Sequence, residues 1–173
     1  MIALVPLAQV SPQAVDALLD KAFGADRRAR TAYRVRAGTE AIDALSFAAV
    51  DTDGRLLGTI QCWPVLLRCD QGDTVPLVMV GPVAVEPSSQ RDGIGRALTA
   101  RALEAASESS LDGAHALMLI GDPEYYGRFF GFMADRTARW RLPGPFEPRR
   151  LLALGDDVPD CAGELGPRVL QPA

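Results

Sequence analysis

Between Leu77 and Ile120 the chain reads as an apolar run, a turn with two glycines one residue apart, a helical stretch and a second apolar run. This order constrains the fold more than any other feature. The turn is Gln90-Arg91-Asp92-Gly93-Ile94-Gly95, and it follows directly on Leu77 to Val85. Glycine lacks the Cβ that holds a polyanion away from the main chain, so successive N–H groups can converge on phosphate oxygens. The helix that begins there adds unpaired N–H groups and the positive end of its dipole. The periodicity from Ile94 predicts a helix running to about Ser109, with Ile94, Ala97, Leu98, Ala102 and Ala105 on its apolar face. Ala116 to Ile120 is apolar throughout, the pattern of a strand buried on both faces and parallel to the strand before the turn. The three elements make a right-handed β-α-β unit.

Around this unit the sequence predicts a meander and several short helices. Ile2 to Val5 reads as a strand. Ser11 is an N-cap, Pro12 the first helical residue and Gly24 the helix end, with Val15, Leu18, Leu19, Ala22 and Phe23 at helical spacing. Asp26 to Arg36 reads as a weakly patterned, exposed helical piece. Its arginines, Arg27, Arg28, Arg30, Arg34 and Arg36, would form a solvated face or favour an acidic acceptor. Leu45 to Val50 and Leu56 to Leu67 are strands around the turn Asp51-Thr52-Asp53-Gly54, with Pro64 marking an edge or a bend. Gln71-Gly72-Asp73 leads to a third strand, Val75 to Val85. Pro123 to Phe130 is a short aromatic helix ending at Gly131. Thr137 to Leu142 and Arg150 to Leu154 are closing strands. Residues 1–155 are read as one domain and 156–173 as an irregular tail.

At 173 residues the chain needs no covalent staples, since a domain of this size buries roughly 70% of its unfolded surface. Cys62, Cys69 and Cys161 are odd in number, lack C-x-x-C spacing and share the chain with one histidine. Free thiols in a reducing compartment, with no metal, are therefore expected. A net charge of −4 offers no general attraction to nucleic acid. Met1 to Gln13 lacks the layout of a secretory signal, and no run reaches the roughly 18 apolar residues of a membrane span. A cytoplasmic location is expected. Lys21 is the only lysine among 18 cationic residues, an imbalance read as codon bias of a GC-rich genome.

The glycine turn admits several readings. A dinucleotide fingerprint would need a third small residue where Leu98 stands, and it would sit in a doubly wound sheet. A nucleoside triphosphate loop would need Gly-Lys-Ser/Thr, which is absent. A bare strand-to-helix turn needs no ligand. The wider context selects another reading. Val83-Ala84-Val85-Glu86-Pro87, then Gln90-x-x-Gly93-x-Gly95, an amphipathic helix, a buried strand and a tyrosine-bearing helix ending in Gly131-Phe132 resemble the GNAT superfamily of N-acetyltransferases.

That resemblance implies an α/β fold: a central, mostly antiparallel mixed sheet, one parallel and splayed strand pair, and about four helices. It also implies acetyl-coenzyme A as co-substrate, with no metal and no covalent enzyme intermediate. Backbone groups of Val83, Ala84 and Val85 would pair with the pantetheine arm. N–H groups of Arg91, Asp92, Gly93, Ile94, Gly95 and Arg96 would hold the diphosphate, and the Gln90 side chain would brace the loop. Gly81-Pro82 would supply the irregularity that splays the strand. A tyrosine on the helix after the buried strand would protonate the departing thiolate. Here the usual position, four residues before the Gly-Phe pair, is Gly127. Tyr126 stands one residue earlier, about 100° around a helix, and is taken as the general acid, with Tyr125 its neighbour. Glu86, Asp122 and Glu124 are the carboxylates that could serve as base or cap. His115 is a surface or core-edge residue, and Cys62 beside Trp63 could line the acceptor pocket or be ordinary packing. The acceptor would be a small-molecule or protein amine, with neither nucleic acid nor membrane as partner, and a homodimer is allowed. A catalytically silent acyl-coenzyme A binding or sensor module of the same fold is the alternative, and a dinucleotide-dependent oxidoreductase is the more distant one.

Overall fold

The computed structural model describes residues 1–170, with the backbone alone at Gln90, Arg91 and Asp92. Its strands are β1 (Ala3–Pro6), β2 (Phe47–Val50), β3 (Leu56–Cys69), β4 (Thr74–Val85), β5 (Leu117–Ile120), β6 (Trp140–Arg141), β7 (Leu151–Leu154) and β8 (Gly163–Pro167). Its helices are α1 (Pro12–Phe23), α2 (Thr31–Val35), α3 (Ile94–Glu108) and α4 (Pro123–Phe130). Among the described residues no helix is long and apolar enough to cross a membrane. The chain divides into two compact units, and the long strands β3 and β4 contribute residues to both.

The first unit comprises Met1–Arg28, Ala41–Cys62 and Gly81–Glu108. Here β1 pairs antiparallel with β2, and β2 with the first part of β3 from Phe47↔Ile60 to Val50↔Leu56. Asp51 shapes the intervening turn by accepting from the N–H groups of Asp53 and Arg55, both at 2.9 Å. Leu45 falls outside β2, in a 3-10 turn at Asp43–Leu45. Helix α1 starts as its sequence requires: the Ser11 hydroxyl accepts from Ala14 N–H, Pro12 is the first helical residue and Gly24 closes the end. Its apolar stripe, Val15, Leu18 and Leu19, forms a core cluster with Ala84 of β4. Helix α3 buries Ile94, Leu98, Thr99, Ala102 and Ala106. The face is thus turned from the expected one, leaving Ala97 exposed and Ala105 only half-buried. Gly58 on β3 sets this packing, because a Cβ there would stand 2.8 Å from Ile94 Cγ2 and 3.0 Å from Leu98 Cδ1.

The second unit comprises Ala29–Glu40, Trp63–Val80 and Ser109–Ala173. As the sequence predicts, β4 and β5 are parallel, in register at Val78↔Leu117 and Met79↔Met118, and β7 adds antiparallel to β5. Arg168 fastens this unit by donating to the carbonyls of Val65, Leu77 and Asp112, each at 3.0 Å.

Three expectations are corrected. The segment beyond Gly155 is not uniformly irregular: Gly163–Pro167 forms β8, which pairs with β3 from Val65↔Pro167 to Cys69↔Gly163 and also with β6. Its proline and glycines masked a strand that needs only backbone groups to pair, and Gln171, Pro172 and Ala173 lie outside the described residues. The register of β8 also brings Cys161 to the end of β3, where it is bonded to Cys69 across a sequence separation of 92. The cysteines are therefore not all free; Cys62 alone is, and it is buried. The third correction concerns the arginines of the second helical stretch. Arg27 and Arg36 are buried at 2% and 7% exposure. Arg27 pairs with Asp20 and Asp16 on the side of α1. The Arg36 guanidinium lies over the rings of Trp63 at 3.6 Å and Tyr33 at 4.0 Å, so stacking replaces the expected hydration.

Thiol titration of the unfolded, unreduced chain should find one reactive group, Cys62, and three after reduction. Three without reduction would contradict the bridge.

Candidate functional site

In the first unit the glycine turn is built in two steps. After β4 the backbone enters a 3-10 turn at Pro87–Asp92, with Glu86 as its N-cap, and Gly93 then takes φ 71° and ψ 19° before α3 begins. That left-handed conformation costs glycine nothing and an L-residue with a Cβ about 1–2 kcal/mol. A Cβ added at Gly93 would meet no atom of the described residues within 4 Å beyond its chain neighbours, and one at Gly95 would lie at 3.5 and 3.6 Å from Val85 and Val83 methyl groups. Packing within the protein therefore does not demand either small residue. What the glycines leave is open space against main-chain N–H groups that the first turn of a helix cannot satisfy internally. N–H groups at the start of a helix are the kind of group that takes an anion.

The strand leading to the turn carries a cis Gly81-Pro82 peptide, and Gly81 has φ 117°. Of the expected pantetheine-facing residues, Ala84 is buried with α1, while Val83 and Val85 are half-buried beside Gly95. The Gln90 side chain, expected to brace the loop, lies outside the described residues. The Cys62 thiol is pushed up to about 12 by burial, with a hydrogen bond involving the Gly81 backbone acting in the opposite direction. A thiol so protonated is no nucleophile at neutral pH.

In the second unit, α4 is held at both ends. Asp122 accepts from Glu124 N–H at 3.0 Å as N-cap, with Pro123 at the first helical position. At the other end Gly131 has φ 82°, its N–H bonds to Gly127 O, and Phe132 N–H bonds to Tyr126 O. This is the glycine-terminated helix end in which two successive N–H groups close back on the last turn. The cap fixes the angular position of Tyr126. Its ring lies against Gly121, where a Cβ would stand 2.6 Å from Cε2, and makes edge contacts with Tyr125 and Phe132 at centroid distances of 4.9 and 6.2 Å. Burial, and to a smaller extent Tyr125, push its hydroxyl up to about 12; the Arg150 charge acts the other way. Tyr126 thus keeps its proton throughout the neutral range.

The three carboxylates singled out as base or cap are all engaged. Asp122 is the cap just described. Glu124 pairs with Arg149; hydrogen bonding with Asp122, then with the backbone and Arg149, holds its carboxyl below the ordinary value. Glu86 is buried at 8% exposure, and its Oε1 is 2.7 Å from Lys21 Nζ and 4.0 Å from Arg55 Nη2. The sequence reading missed this last pair, although Lys21 stood out as the single lysine. His115 is exposed, as expected, in the turn two residues before β5. Among the described residues no group of three or more His, Cys, Asp or Glu side chains could hold a metal.

Comparison with known proteins agrees with this architecture. Residues 8–133 match the acetyltransferase (GNAT) domain family. The chain belongs to that family. YhbS of Escherichia coli (strain K12), described as an uncharacterized N-acetyltransferase, is 30% identical over 145 residues, covering 83% of this chain and 82% of its own length. The crystal structure of Escherichia coli YhbS in complex with CoA has a TM-score of 0.70 at 23% identity, covering 97% of this chain and 89% of that one; it shares the fold. A GNAT family acetyltransferase from Brucella melitensis in complex with acetyl-CoA is 25% identical, with a TM-score of 0.60 and coverage of 97% and 96%.

Proposed function

We propose that the chain is an acetyl-coenzyme A dependent N-acetyltransferase that passes the acetyl group to a primary amine by direct attack in a ternary complex. The observation that carries this reading is the left-handed Gly93 opening α3, with unfilled space where a Cβ would point. In this reading N–H groups from Arg91 to Arg96 hold the diphosphate, Gln90 braces the loop, and the backbone of Val83, Ala84 and Val85 pairs with the pantetheine arm. Relatives of the same family are known in complex with CoA and acetyl-CoA.

Acetyl-coenzyme A supplies a thioester carbonyl and a thiolate leaving group; the chain supplies position and a proton. Tyr126 is the proposed donor, and its hydroxyl keeps the proton until pH approaches about 12. No carboxylate among Glu86, Asp122 and Glu124 is given the role of base, because each is held by a cap or an ion pair. The amine loses its proton to water. The acceptor is a small-molecule or protein amine.

The test is coenzyme A release across a panel of primary amines, for the native chain and for Tyr126→Phe. Turnover is expected with at least one amine. Removing the phenol should lower kcat by about 10²-fold, within the usual range for a positioned acid, and leave coenzyme A affinity unchanged. An untouched kcat in Tyr126→Phe would remove that residue from the chemistry. Tight coenzyme A binding without turnover on any amine would favour a silent binding module.

A further inference from the structure

Glu86 is the residue immediately before the turn that would take the diphosphate, which is an unfavourable place for a carboxylate. It is the N-cap of the 3-10 turn at Pro87–Asp92, yet its side chain makes no capping hydrogen bond. Its backbone is fixed on both sides, N–H donating to Leu57 O and C=O accepting from Ser89 N–H, each at 2.8 Å. Only the side chain has a choice. It could turn toward the N–H groups of the loop, as acidic residues before helices do, or be drawn away by a cation. Lys21, in the last turn of α1, draws it away at 2.7 Å. The packing of Val15, Leu18 and Leu19 against Ala84 places that last turn beside the end of β4.

We propose that Lys21 is a positioning residue for the cofactor loop: it holds and neutralises the Glu86 carboxylate, keeping the loop's N–H groups and local charge available to the coenzyme A diphosphate. The inference rests on the proposed function and adds to it. Glu86 is nearly buried, whereas the Lys21 side chain is 55% exposed. Loss of the lysine would therefore leave a carboxylate short of its nearest partner beside a polyanion site. Arg55, at 4.0 Å from the same oxygen, compensates in part.

Calorimetric titration with coenzyme A compares the native chain, Lys21→Met, Lys21→Arg and the double variant Lys21→Met/Glu86→Gln. Lys21→Met should weaken binding roughly five- to tenfold at low salt, and less at high salt, as expected for a screened charge effect. Lys21→Arg and the double variant should each recover most of the lost affinity. In turnover assays the loss should fall on KM for acetyl-coenzyme A and not on kcat. Should Lys21→Met fail to fold, Lys21→Gln takes its place in the same comparison. Native affinity in the charge-deleted variant would overturn the inference, as would a double variant no better than the single one. A native chain that binds no coenzyme A would instead overturn the proposed function, so the two failures are distinguishable.

Discussion

Gly93→Val should raise the dissociation constant for coenzyme A by at least about tenfold. Two separate effects act on the ligand. A β-branched residue resists the φ of 71° that ends the 3-10 turn, at a cost of about 1–3 kcal/mol for strained backbone. Relaxing that angle would re-aim the N–H groups opening α3. Its side chain would also project into the space left open at this position, where no atom of the described residues beyond the chain neighbours comes within 4 Å. The same openness means that no described residue beyond the chain neighbours is struck. A loss of affinity together with a loss of stability no larger than that strain is therefore the expected signature. Gly93→Asn, whose side chain tolerates the left-handed region, should retain more affinity. Calorimetry and thermal melting on the three chains make the comparison, and equal affinities would contradict the diphosphate cradle.

Gly58→Val loses stability by a different route, through direct overlap with neighbouring atoms. A Cβ at Gly58 would lie 2.8 Å from Ile94 Cγ2, 3.0 Å from Leu98 Cδ1 and 3.1 Å from Ala84 O. The two side chains belong to the root of α3, and the oxygen is backbone that cannot rotate aside. Overpacking of this kind costs about 1–3 kcal/mol, and in a chain of this size each kcal/mol lowers Tm by roughly 2–4 °C. Because Ile94 follows Gly93 directly, α3 can relieve the overlap only by moving the glycine turn. Coenzyme A affinity should fall along with Tm. A variant that melts with the native chain would show that β3 and α3 do not approach as closely as described.

The features most legible in the sequence were those set by local chemistry. Ser11 and Pro12 announce α1, Asp51 to Gly54 announce a turn, and the unbroken apolar run from Ala116 to Ile120 announces the buried parallel strand β5. The aromatic helix and its glycine end were likewise readable, since Asp122, Pro123 and Gly131 perform their roles within a few residues. What escaped were pairings between residues distant in sequence. Strand β8 is marked by no alternation and depends on the edge that β3 offers it. The Cys69–Cys161 bridge depends on that register. Arg27 and Arg36 read as a wet charged face because their partners, Asp16, Asp20 and Trp63, come from other elements. At the site, the spacing of the glycines and the tyrosine could be read directly. The seat of Tyr126 against Gly121 and the hold of Lys21 on Glu86 could not, because each depends on how neighbouring elements pack.

The most direct measurement is calorimetric titration of the purified native chain with coenzyme A. Saturable binding at one site per chain is predicted, together with a rise in Tm on adding coenzyme A and none on adding a nicotinamide dinucleotide. A folded chain that releases no heat and shows no change in Tm with coenzyme A would contradict the account at its root.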